Sequence, residues 1–101
     1  MIDVKPIRIE DNLFVGITVQ LPHTTLLVIA NDIGYVMCGA LDVDLLNEKL
    51  QDRPIIAGRA VGVKTLDDLL HARLDKITVK SEEYKWKVGM LVKDALLQIA
   101  E

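Results

Sequence analysis

From Leu13 to Leu21 the chain alternates: Leu13, Val15, Ile17, Val19 and Leu21 point one way, and Gly16, Thr18 and Gln20 the other. A period of two belongs to a β-strand, and one apolar face beside one mixed face describes a half-buried one. Before it, Val4 to Ile9 reads as a short strand whose Pro6 places it at a sheet edge, where a missing N–H is tolerated. Pro22-His23 turns the chain, and Thr25 to Ala30 is apolar on both faces, as a central strand is. Asn31-Asp32-Ile33-Gly34 has Asn first and Gly last, the preference of a type I turn, and Tyr35 to Gly39 follows as another strand. The N-terminal region 1–40 therefore predicts an antiparallel meander.

The period then lengthens. Leu41, Leu45, Leu46 and Leu50 recur at helical spacing, with Asp42 and Asp44 at the end where acids favour the helix dipole. Arg53-Pro54 closes that helix, and Ile55-Ile56-Ala57 opens a buried strand. Thr65-Leu66-Asp67-Asp68 has the form of a capping box with Asp in place of Glu, starting a helix through Leu69, Leu70 and His71. Residues 77–88 carry two signals: Tyr84, Trp86 and Val88 alternate like a strand, whereas Ser81-Glu82-Glu83 suits a helix start. Met90 to Ala100 is a last amphipathic helix, with Val92, Ala95, Leu96 and Ile99 on one face. Strands first, then helices and strands mixed, predict an α+β fold in a single domain, 1–101, with an α/β region over 41–101.

Charge sharpens this picture. Residues 1–41 hold six charges (Asp3, Lys5, Arg8, Glu10, Asp11, Asp32) of the 27 in the chain, and Leu, Ile and Val supply 36 of its 101 residues. A domain this small does not hide so many aliphatic side chains in one core, so the uncharged N-terminal segment predicts a face covered by another subunit. The twenty uncharged residues between Asp11 and Asp32 are long enough to span a bilayer, but Gln20, Pro22, His23, Thr24 and Thr25 would sit at its centre. No membrane association is expected. A net charge of −3 and a pI near 5.3 give no basic face for nucleic acid. With a single cysteine and no secretory signal evident, the expected location is cytoplasmic.

Candidate chemistry is sparse. Cys38, between Met37 and Gly39, lies at a predicted strand end, where Gly39 would let a ligand approach the backbone; a buried structural thiol is the favoured reading and a nucleophile the other. Gly58 to Thr65 misses the phosphate-loop pattern, since three residues separate its glycines and Val63 parts Gly62 from Lys64. What remains is a glycine turn at Gly62 with Lys64 and Thr65 at a helix mouth, suited to a small anionic ligand or simply to an ordinary helix cap. Asp42 and Asp44 do not share a helix face. His23 and His71 have no metal-ligand spacing, so neither metal nor cofactor is expected. Trp86 between Lys85 and Lys87 reads as a core tryptophan under two snorkelling lysines.

Taken in order, Gly34-Tyr35-Val36-Met37-Cys38-Gly39, Leu41-Asp42, Gly62 to Leu70, Gly89-Met90 and Asp94-Ala95-Leu96 resemble the YunC-like family of bacterial and archaeal proteins, a domain of unknown function. The resemblance implies a small α+β domain whose N-terminal β region builds a tetramer, and a helix over Thr78 to Tyr84. Family members tend to have a small residue and a glycine in that helix and its exit, where this chain has Ser81 and Lys85. It assigns no activity. The reading is a cytoplasmic homo-oligomeric binding or assembly module; the alternative is an enzyme or anion site using Cys38 with Lys64 and Thr65.

Overall fold

Two residues, Glu10 and Asp11, turn β1 (Ile2–Ile9) into β2 (Asn12–Leu21), both with positive φ (48° and 69°), as a two-residue hairpin turn demands. The structure, a computed structural model, describes residues 1–39, 43–49 and 55–100. β3 (Thr24–Ala30) and β4 (Tyr35–Met37) complete the antiparallel meander. The Asn31 carboxamide holds the turn between them, accepting from the backbone N–H of Ile33 and Gly34 at 2.9 and 3.1 Å. α1 (Val43–Lys49) then carries the chain over to β5 (Ala57–Arg59), which runs parallel to β4, and β6 (Lys76–Ile77) closes the six-stranded sheet in the order β1 to β6. Leu41, Asp42, Leu50 and Arg53-Pro54 of the expected α1 lie outside the described residues.

α2 (Leu66–Leu70), a 3₁₀ helix (Val79–Tyr84) and α3 (Val92–Gln98) follow. Phe14, Leu27, Ile29 and Val36 of the sheet meet Leu66 and Leu69 of α2 and Val92, Ala95, Leu96 and Ile99 around α3 in one buried core. The α3 face read from its spacing is the buried face. Trp86 closes the core, donating from its indole N–H to the Ala95 carbonyl at 2.8 Å. The alternation of Tyr84, Trp86 and Val88 does not form a strand. Ser81 is fully buried with its hydroxyl on the Thr78 carbonyl, and the segment coils so that only Trp86 of that alternating trio is fully buried. α2 also ends one residue early: His71 caps it, its backbone N–H on the Asp67 carbonyl.

Register divides the sheet into two faces. Phe14, Gly16, Leu27, Ile29 and Val36 share the face under α2 and α3; a side chain on Gly16 would run into Leu66 of α2. Val4, Leu13, Val15, Ile17, Val19, Leu21, Leu26 and Val28 share the other. The apolar face of the β2 alternation is thus the one the chain leaves open, with Val4 61% and Leu13 60% exposed. Among the described residues, cover on this face is at the β5 end, where Ala57 is fully buried and α1 packs against β5. Beside Ala57, burial pushes the Tyr35 phenol above its ordinary pKa.

β1 is an edge strand, as its proline predicts. Met1 and Gln20 exchange both backbone hydrogen bonds, which sets the phase: Ile2, Val4, Pro6 and Arg8 turn their polar backbone groups to the free edge. Pro6 therefore lacks its N–H where no partner within the chain would receive it.

Lys85 ends the 3₁₀ helix in the left-handed region, at φ 66°, with its side chain exposed. A non-glycine residue there costs about 1 kcal/mol, part of which glycine gives back in unfolded-chain entropy. Lys85→Gly is expected to raise stability by about 0.5 kcal/mol, read as a higher urea midpoint at unchanged slope.

Candidate functional site

The switch from antiparallel to parallel pairing at β4 and β5 leaves their carboxyl ends side by side, where loops in such folds carry ligands. Cys38-Gly39 leaves β4, and residues 60–65 leave β5 toward α2. The Ala60 N–H on the Met37 carbonyl, 3.0 Å, ties the two exits together. Gly62 turns the second loop at φ 77° with open space where a side chain would stand, so glycine serves the backbone conformation there. Gly58, by contrast, is a packing glycine inside β5: a Cβ would reach within 2.8 Å of Leu74 and 3.2 Å of Trp86. The first glycine of the phosphate-loop-like stretch thus belongs to the core.

Thr65 caps α2. Its hydroxyl accepts from the Asp68 N–H at 3.0 Å, and the Asp68 carboxylate accepts from the Lys64 N–H at 3.1 Å. The reciprocal bond expected of a capping box thus reaches one residue further back than the usual form, leaving the Lys64 ammonium free to project.

Lys64 and Thr65 line a cleft between this loop and the end of the β2–β3 hairpin. A depression of about 300 Å³, walled by Lys5, Lys64 and Asp67 over a floor of Thr18, Gln20 and Thr25, meets a larger one at the His23 turn that shares Gln20, Thr25 and Lys64. The Cys38 thiol is 6% exposed beside that floor, donating to the Thr25 carbonyl and accepting from the Leu27 N–H at 3.4 Å. Gly39 is exposed and faces Val61. The structure therefore brings Cys38, Gly39, Gly62, Lys64 and Thr65 to one end of the sheet, with Lys64 and Thr65 lining the cleft and Cys38 buried beside β3.

His71 stands apart, 3.6 Å from the Asp67 carboxylate in an exposed pair of little energetic weight. The Asp42–Asp44 pair lies outside what is described, Asp42 altogether and Asp44 in its side chain. Trp86 is a core residue, with its indole ring withdrawn from any stacking surface. Among the described residues no three His, Cys, Asp or Glu side chains gather as metal ligands. Lys5, Thr18, Gln20 and Thr25 escaped sequence reasoning because strand pairing assembles them; the one local signal was the mixed face of β2.

Residues 37–99 match the family profile described as a domain of unknown function (DUF1805). The chain is 54% identical over 99 residues to the uncharacterized protein YunC of Bacillus subtilis, covering 98% of each. Its fold superimposes with a TM-score of 0.86 on the crystal structure of a protein of unknown function from Thermoplasma acidophilum, 29% identical, covering 99% of this chain and 94% of that one.

Burial beside β3, with the sulfur held by the Thr25 carbonyl and the Leu27 N–H, should shield the thiol. In the native protein Cys38 is expected to react with iodoacetamide at neutral pH at least about tenfold more slowly than in urea. A faster native rate would mark it as an activated nucleophile.

Proposed function

The chain belongs to the YunC-like family that carries this domain of unknown function, and on that footing we propose that it works in the cytoplasm as a homo-oligomeric binding or assembly module, held together through the open face of β1, β2 and β3. The observation that carries this reading is the exposed apolar sheet face itself. Val4, Leu13, Val15 and Leu21 are exposed on it beside half-buried Ile17, Val19, Leu26 and Val28, and Arg8 is the one charge that shares it on these three strands. Monomeric proteins rarely expose a contiguous apolar patch above a few hundred Å².

Size and chemistry favour a second copy as the occupant. Strands at about 3.3 Å per residue and about 4.8 Å spacing make this three-stranded face roughly 30 Å by 14 Å. Pairing two such faces covers about 800 Å² in projection, a small interface that contacts with further copies would enlarge. A face almost without charge needs no complementary partner, and sheets stack face to face with interdigitating aliphatic side chains. The free edge of β1 is the poorer route, because Pro6 lacks a donor in the phase that faces outward. Four copies is the state that the family resemblance supports.

No helix among the described residues is long and apolar enough to cross a membrane. The uncharged stretch between Asp11 and Asp32 is spent on β2 and β3 instead.

Two isoleucines separate assembly from folding. Ile17 looks outward, whereas Ile29 is fully buried against the helices. In sedimentation velocity at micromolar concentration the wild type should run as a multiple of 11.3 kDa, four copies by this reading. Ile17→Lys should give a folded monomer with its circular dichroism retained. Ile29→Lys should lose the fold, since an unpaired charge in the core costs about 4 kcal/mol or more. A wild type that sediments as a single 11.3 kDa chain overturns the proposal.

A further inference from the structure

We propose that the cleft between the start of α2 and the β1–β3 face near the His23 turn binds a small oxyanion, a carboxylate or a phosphate, between the ammonium groups of Lys5 and Lys64. The first ground is an abrupt change of polarity along one sheet face. Where α2 and α3 cover it, that face is Ile7, Ile9, Phe14, Leu27 and Ile29. Past the contact of Leu66 with Gly16 it becomes Lys5, Thr18, Gln20 and Thr25. Solvent alone asks for polar residues there, but not for a concave set facing a second lysine from another loop.

The second ground is that these groups are uncommitted. The side chains of Lys5, Thr18, Gln20, Thr25 and Lys64 make no hydrogen bond or ion pair with the described residues, so hydroxyl, amide and ammonium donors all converge on the cleft unused. Pockets that recognise small polar molecules are built this way, with few polar groups converging in a concavity.

Charge decides the class of ligand. Two lysines, Lys5 and Lys64, line the smaller depression against one carboxylate, Asp67, with Asp3 opposite Thr18 on the same sheet face. The neighbouring Asp68 carboxylate is turned to the Lys64 N–H. Two ammonium groups flanked by hydroxyl and amide donors suit a compact oxyanion with several acceptor oxygens.

Titration of the full-length protein by amide NMR at low ionic strength tests this, with inorganic phosphate and succinate as separate probes. Saturable shifts are expected at Thr18, Gln20, Thr25 and Lys64. A stronger response to phosphate assigns the phosphoryl class, and a stronger response to succinate the carboxylate class. Lys5→Met and Lys64→Met, both at exposed positions that should leave the fold intact, are each expected to weaken binding about three- to tenfold, while Lys80→Met leaves it unchanged. No saturable shift with either probe overturns the proposal, as do shifts of equal affinity in both lysine variants.

Discussion

A sheet that is apolar on both faces needs a layer on each, and this chain builds a full layer on only one. α2 and α3 lie over Phe14, Leu27, Ile29 and Val36, while on the other side, among the described residues, α1 packs at the β5 end. Most other features of the molecule answer to that imbalance. The inner face sets where the core ends and the polar cleft begins, and the outer face carries the proposed contact with other copies.

Much of the fold was legible where a local rule decides. Asn31 announces the β3–β4 turn through its own side-chain acceptor, Thr65 announces α2, and the spacing of Val92, Ala95, Leu96 and Ile99 announces both α3 and its buried side. The meander and the edge position of β1 came from alternation and a proline. Alternation could not say which face of β2 is the core. Leu13 to Leu21 is the more uniformly apolar face, yet Phe14 and Gly16 turn inward, because alternation records polarity and not which face the helices cover. Residues 77–88 failed for a different reason. A buried Ser81, a left-handed Lys85 and an indole anchored on Ala95 bend that segment out of any strand, and each of those depends on tertiary contact.

The candidate site divides along the same line. Gly62, Lys64 and Thr65 were readable because a turn and a cap are local. Gln20 opposite Thr25 follows from the short turn at Pro22-His23, but Lys5 joins them only through the order of strands in the sheet. Cys38 reads as a strand-end thiol in sequence, and its place beside Leu27 comes from β3 pairing with β4. The cleft rim runs on to Leu21 and Thr24, which share the open face, so the proposed ligand site and the proposed assembly face are neighbours.

The claim that a second copy covers the open face is tested most directly by NMR on a mixture of methyl-labelled and unlabelled chains. Filtered cross-relaxation reports contacts between copies alone. The account predicts intermolecular signals at the methyls of Ile17, Val19, Leu26 and Val28. Intermolecular signals confined to the α2–α3 side, or none at any concentration, would contradict it.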